Sequence, residues 1–445
     1  DMLTRCLYAV DASIYRVEPA AVAFPRSAVE AANLLRAAAE SGVEMTPRGA
    51  GTGLAGGALG SGLVVDFSRH NSRVSDFDRD RQTIRVGAGV VLDQLNHELA
   101  PHGVWFGPDV ATSSRATLGG MIANYSSGAH APVYGTTGDH LAALEIVMAD
   151  GTVTVVGNGD GPSEIRDAVD EIVGEHAAEI AERLPEGLVK RWPGYGLDRA
   201  LRSPGDLTQL VAGSEGTLAG ITSAIVRVVP KPQSRYLGIL FFQSVMEALQ
   251  STVELADLGA AAIEHLDRAA LDQTSGKRSF AAARDLLRLD EAPCEALLLV
   301  EFFDDDAGLA ELDRRRLGVR RLLCRDPAEQ ELAWGLRRAG LSLLTSRAGP
   351  AKPWGFIEDV CVLPERLPEY VAGLREIFAP LGLEASFYGH AASGELHVRP
   401  VLDLHRPEDL TKLRQVADQV SDLCRRFNGS LTAEHGVGLA RTEYV

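Results

Sequence analysis

The sequence predicts an α+β chain folded as two domains, and three observations carry that prediction. At 445 residues the chain exceeds what one ordinary core encloses. Up to about residue 232, short β-rich runs alternate with glycine turns and only a few helices. From Lys231-Pro232-Gln233 onward the texture changes to longer amphipathic helices with fewer glycines, which sets the boundary there. The domains are therefore residues 1–232 and 233–445.

Taken in order, "AVAFP" and "GLVVDF" read as strands, being apolar runs bounded by turn residues. Between them, "SAVEAANLLRAAAESG" places Val29, Leu34, Leu35 and Ala38 near one face of a helix. "TIRVGAGV" is a further strand that leads into "LDQLNHELAPHG", where Leu92, Leu95 and Leu99 repeat at helical spacing. A glycine-dense segment runs from Ala116 to Thr137, and "LEIVMADGTVTVV" then forms a hairpin turning at Asp150-Gly151. Beyond the boundary, "EALLLVEFF" is a buried strand; it falls well short of the ~18 apolar residues of a spanning helix.

Composition narrows the function classes. A formal net charge of −17 argues against sequence-independent binding of nucleic acid, which needs clustered Lys and Arg, and against an anionic membrane surface. Cys6, Cys294, Cys324, Cys361 and Cys424 are scattered without CxxC spacing. That pattern speaks against a disulfide framework, a zinc knuckle or a cysteine-ligated iron–sulfur cluster in this segment, and a cytoplasmic location is expected.

"GTGLAG", Gly51 to Gly56, satisfies GxGxxG, yet its context refuses a nicotinamide dinucleotide site. That fingerprint requires a helix starting at the glycines, with its amino end toward the pyrophosphate. Here Gly57, Gly60 and Gly62 follow and then a β run, and Asp66 comes too early for the acidic residue expected ~20 positions on. What remains is a loop of backbone amides that approach an anion closely because few side chains intervene, with Arg48 at its head. Residues 108–140 and 213–222 supply further stretches rich in Gly, Ser, Thr and Asn. Loops so long and so poor in bulk suggest a backbone that wraps an extended phosphate-bearing ligand.

Together "PRGAGTGLAGG", "ATLGGMIANYSSGAHAPVYGTTGDH" and "GSEGTLAGIT" resemble, in order and spacing, the flavin-binding motifs of the vanillyl-alcohol oxidase superfamily. The resemblance implies a two-lobed PCMH-type FAD-binding domain, with lobes of about residues 1–70 and 71–232 and FAD buried between them, followed by an α+β substrate (cap) domain. Carried over by position, Arg48, Gly49, Ala50, Gly51, Thr52, Gly53 and Gly56 would surround the pyrophosphate. Pro108, Asp109, Thr117, Gly119, Gly120, Asn124, Ser126 and Gly128 would line the flavin, and Gly213, Glu215, Gly216, Thr217 and Ile221 would close the pocket. Tyr125 stands where many relatives have Asn, so one local flavin contact differs. His130 is available for covalent attachment, but the expectation is non-covalent FAD.

In the second half, "YGHAASGELHVRP" and "GSLTAEHGVGLAR" resemble the paired-histidine and Glu-His motifs of FAD-dependent D-2-hydroxyacid dehydrogenases, which include D-lactate, glycolate and D-2-hydroxyglutarate enzymes. His390 and His397, seven apart, with Glu434 make a ligand set suited to a divalent metal, Zn, Mn or Fe, with positions left open for substrate. Arg399 stands where some metal-binding members carry a polar amide, so the coordination can differ. His435 is then free as the base that takes the hydroxyl proton while hydride leaves C2 for the flavin. For the substrate carboxylate, Arg337 is the first candidate and Arg347 and Lys352 the next, while Arg338 reads as a solvated helix charge.

The expected function is oxidation of a small anionic D-2-hydroxy acid to the 2-oxo acid, with electrons passed to an acceptor other than oxygen. The alternatives are an FAD-dependent oxidase of a different alcohol, a metal-dependent hydrolase using His390, His397 and Glu434, and a module that binds FAD without catalysis. The chain looks closest to the branch in which an iron–sulfur part follows in the same polypeptide. It opens on Asp1 and stops at Val445, directly after the Glu-His motif, so a truncated form is expected. The electron acceptor would be a protein, an iron–sulfur domain or a quinone, and membrane association would come only through such a partner.

Overall fold

Small residues let the helix Ala28–Glu40 lie close against its neighbours. Ser27 caps it by accepting the amide of Glu30, and Ala31, Ala32, Leu35 and Ala38 form its buried face. That face differs from the predicted one: Leu34 packs only partly and Val29 is exposed, because alanine at positions 31 and 32 allows the closer approach. The computed structural model describes residues 1–157, 159–184, 186–190 and 194–445.

The helix links strands of a small parallel sheet in which Leu63–Asp66 lies between Ala21–Ala23 and Met45–Arg48. The glycine loop that leaves Arg48 therefore runs into a strand and not a helix, as its composition implied. A five-stranded antiparallel sheet follows in the order Val74–Asp78, Thr83–Gly87, Gly220–Arg227, Leu141–Val147 and Val153–Gly157. Its last two strands form the predicted hairpin through Asp150-Gly151, where the Thr152 amide donates to Asp150. Leu92, Leu95 and Leu99 are all buried on the helix Leu92–Leu99.

Residues from Arg235 onward build a seven-stranded sheet ordered Arg320–Cys324, Arg235–Phe242, Ala296–Phe303, Ala262–Asp267, Ala385–His390, His397–Leu402 and Lys352–Pro353. Its pairings are antiparallel throughout. Side chains alternate along a strand, so the register sorts them. Glu264 faces His390 across one pair, Tyr388 faces His397 across the next, and Glu301 pairs with Ala262 two residues from Glu264. Glu301, Glu264, Tyr388, His390, His397 and Arg399 consequently share one sheet face. The opposite face is apolar: Ile263, Leu298, Val300, Phe387 and Val398 join a core with Leu249, Leu374 and Val420 from the helices Val245–Glu254, Leu367–Phe378 and Pro407–Arg426.

Candidate active site

A cavity of about 1040 Å³ lies between the glycine loops and the polar face of the seven-stranded sheet. Its glycine side is lined by Arg48, Gly49, Ala50, Gly51, Thr52, Gly53, Asp109, Thr117, Gly119, Gly120, Asn124, Ser126, Gly128, Glu215, Gly216 and Ile221. Gly56, Pro108, Gly213 and Thr217 stand behind this wall; Gly213 packs on the Tyr125 ring and the Thr217 hydroxyl donates to the Ser214 carbonyl. Tyr125 is itself buried, with its hydroxyl donating to the Gln209 carbonyl at 2.6 Å, so it supports the loop from beneath.

The lining suits a large polyanionic cofactor. At Gly49 a Cβ would collide with the Thr117 hydroxyl, so only glycine lets these loops approach each other. The Thr117 Oγ1 is buried and has no hydrogen-bond partner among the described residues, which leaves a polar atom for a ligand to satisfy. Arg48 lines the cavity, and its guanidinium also donates to the carbonyls of Tyr8 and Val10, at 3.2 and 2.8 Å, which ties the amino-terminal segment to the loop. His130 has both ring nitrogens engaged, Nδ1 3.0 Å from Asp109 and Nε2 2.6 Å from Glu301, so neither is free to bond a flavin.

On the facing wall stand Glu264, Glu301, Trp334, Arg337, Tyr388, His390, His397, Glu434 and His435. His390 ends one strand and His397 begins the next, joined by the short turn Ala391–Ser393. Their Nε2 atoms lie 3.4 and 3.6 Å from the same Glu434 oxygen, Oε1. Ligand atoms close enough to share an ion fall into two sets that meet at Glu434: His390, Glu395 and Glu434, and Asp359, His397, Glu434 and His435. The other ring nitrogens are taken: His390 Nδ1 is 2.9 Å from Glu264 and His397 Nδ1 3.3 Å from the Glu358 carbonyl. Such partners orient imidazoles toward a metal. Burial, reinforced by the neighbouring His435 and His390, holds His397 well below the usual histidine range and hence neutral.

Why Glu434 and His435 lie side by side is answered by Asp359. One of its carboxylate oxygens accepts the amides of Ala433, Glu434 and His435, at 3.0, 3.3 and 2.8 Å, and the hydroxyl of Thr432. Each charge-assisted bond of this kind contributes ~1.5–3 kcal/mol, so the turn is held rigid. Gly436 follows with φ of 83°, and a Cβ there would also press on Glu215, which accepts the amides of Val437 and Gly438 at 2.7 and 2.9 Å. The third glycine motif therefore grips the Glu-His loop directly. His435 Nδ1 is 3.1 Å from Glu358 and 3.2 Å from Asp359, leaving Nε2 toward the site, 3.8 Å from Glu434 Oε1. Burial opposes its protonation, but the Asp359 and Glu358 carboxylates outweigh burial and raise its pKa.

Of the three cations predicted for the substrate carboxylate, Arg337 lines the cavity. The helix Pro327–Arg338 presents Trp334 and Arg337 on one buried face, and Arg337 Nε donates to Glu264 at 2.7 Å. Arg347 is half-buried and pairs with Glu384 at 3.3 Å, and Lys352 donates to the Arg347 carbonyl; neither is among the described lining residues. Arg338 is exposed and paired with Glu331 at the rim, consistent with a solvated charge. Arg399 is buried on the sheet face that carries His397, its Nε 3.2 Å from the Tyr388 hydroxyl.

Sequence reading missed Glu264, Glu301, Glu358, Asp359, Glu395 and Lys190. The available signal was a lone acid inside an apolar run, as in "AAIEHLD" and "LLLVEFF", since a strand seldom buries a carboxylate without a partner.

Comparison with known proteins accords with this geometry. Residues 19–157 match the FAD binding domain and residues 231–445 the C-terminal domain of FAD linked oxidases. Both halves of the chain are thus similar to domains of FAD-linked oxidases. It is 34% identical to a D-2-hydroxyglutarate dehydrogenase of Pantoea ananatis over 99% of its own length and 46% of that protein's, so it spans about half the length of this relative. To the glycolate oxidase subunit GlcD of Bacillus subtilis it is 27% identical, covering 99% of this chain and 86% of the other. The fold of the chain is shared with p-cresol methylhydroxylase, at a TM-score of 0.68 and 13% identity, over 98% of this chain and 86% of that one. Among the described residues, no helix is long and apolar enough to cross a membrane.

Proposed function

We propose that the chain oxidises a D-2-hydroxy acid to the 2-oxo acid with non-covalent FAD. The observation that carries this reading is the convergence of His390, His397 and His435 Nε2 on Glu434 Oε1, at the wall of a glycine-lined cavity. FAD, when bound, supplies the two-electron acceptor for the hydride from C2. A divalent ion held by His390, His397 and Glu434 would supply Lewis acidity toward the 2-hydroxyl.

The protein's own groups manage the proton and the carboxylate. His435, with Nδ1 held by Glu358, accepts the hydroxyl proton at Nε2. Arg337 holds the substrate carboxylate, its orientation set by Glu264, which also orients His390. Relatives named for D-2-hydroxyglutarate, D-lactate and glycolate support this substrate class. Electrons would leave to a protein partner, an iron–sulfur domain or a quinone.

The test is an anaerobic absorbance titration of the FAD-loaded protein with D- and L-2-hydroxy acids, before and after chelation. Bleaching by a D-acid, lost with chelator and restored by metal, is expected. A yellow protein bleached by no acid would overturn the substrate class, and one that cannot take up FAD would overturn the cofactor.

A further inference from the structure

Lys190 belongs to the glycine-rich half, yet its ammonium is fully buried against the seven-stranded sheet. It lies 2.6 Å from Glu434 Oε2 and 2.6 Å from Glu395 Oε2. Glu395 is fully buried as well, at the turn between the two histidine strands, with Oε1 3.4 Å from His397 Nδ1. Lys190 thus grips the oxygen of Glu434 that faces away from the imidazoles. The other oxygen, Oε1, is the one that His390, His397 and His435 surround.

This division of labour has a physical reason. A carboxylate turning about its terminal bond presents either oxygen, or both, to a cation. The Lys190 ammonium donating to Oε2, together with the Ser127 hydroxyl that donates to the same oxygen at 3.4 Å, removes that freedom. A lone lysine without a carboxylate on its far side would be drawn onto Glu434 alone. Glu395 supplies that second attachment.

We infer that Lys190, anchored by Glu395, is a positioning residue that fixes Glu434 Oε1 toward the two imidazoles. The inference rests on the metal reading above. Because the lysine comes from the other domain, the ligand set is complete only when the domains are seated together.

Charge and geometry make opposite predictions here, which makes the idea testable. Removing a cation beside a metal site should tighten metal binding if only charge matters; it should weaken binding if the lysine orients the ligand. The Glu395→Gln variant is the reference, because Gln still accepts from Lys190 while the double variant Lys190→Met with Glu395→Gln avoids two facing carboxylates. Zinc affinity is read by competition with a chromogenic chelator on FAD-loaded protein, alongside FAD content. The double variant is expected to bind zinc ~10-fold or more weakly than Glu395→Gln, the size usual for lost orienting contacts, with FAD content unchanged. Equal or tighter binding would overturn the positioning role. Where the double variant fails to fold, Lys190→Arg serves: its guanidinium retains the charge in a different shape, and unchanged zinc affinity would count against positioning equally. Parent protein that binds no zinc would instead remove the metal reading on which this rests.

Discussion

Replacing His130 by leucine is expected to destabilise the protein by ~3–5 kcal/mol, the range for removing one partner of a buried ion pair. His130 lies in the middle glycine loop, and its Nε2 meets Glu301 of the seven-stranded sheet at 2.6 Å, so the pair joins the two walls of the cavity. Both residues are buried. In the variant Glu301 keeps one donor, Trp334 Nε1 at 2.9 Å, but loses its countercharge. The same interaction is visible in titration. Burial opposes protonation of His130, yet Asp109 and Glu301 outweigh it and raise the pKa to about 10, while His130 overcomes burial to hold Asp109 at about 2. A group whose folded pKa exceeds its unfolded value of ~6.5 stabilises fully below that pH and loses its contribution as pH rises through the folded value. Stability should therefore fall between pH ~6.5 and about 10 in the parent, and this component should be missing from the variant. Urea denaturation followed by tryptophan fluorescence, at saturating FAD across that range, measures both effects. Adding Glu301→Gln to His130→Leu should recover at least half of the loss, since glutamine can still accept from Trp334 without a charge. A single variant within ~1 kcal/mol of the parent, or one with the parent's pH slope, would refute the reasoning.

Other outcomes follow from the same geometry. His435→Asn should retain FAD but slow its reduction by ~10²-fold or more, and equal stopped-flow rates would take His435 out of the chemistry. Gly49→Ala should weaken FAD binding by ~10-fold or more, because the added methyl collides with Thr117 in the cradle; a fluorescence titration giving parental affinity would remove this loop from the cofactor. Arg337→Lys should raise the substrate concentration for half-maximal flavin reduction while changing the limiting rate less, as a point charge replaces a fork. An unchanged concentration dependence would assign the carboxylate elsewhere.

Much of this architecture was legible in the residues themselves. The misleading GxGxxG could be set aside because Gly57, Gly60 and Gly62 deny the helix that a dinucleotide fold requires. The turn at Asp150-Gly151 and the helix carrying Leu92, Leu95 and Leu99 were readable for a similar reason: each is set by neighbours within a few positions. Where the reading slipped, the error lay in contacts. Val29 fits the helical period but is exposed, because the sheet is approached by Ala31 and Ala32. Arg347 and Lys352 carry the right charge, but Glu384 and a backbone carbonyl engage them outside the cavity.

By itself, then, the sequence determined what is local: glycine where backbones must nearly touch, apolar period, and the histidine and Glu-His motifs that nominate the ligands and the base. Only the tertiary structure decided which polar atoms meet. Glu264 reaches His390, Asp359 gathers the amides of the Glu434 turn, and Lys190 reaches Glu434 from outside the seven-stranded sheet. A buried charge is stable only beside its partner. That partner stands across a sheet register or a cavity wall, 76 to 244 positions away in the chain, where no local pattern points to it.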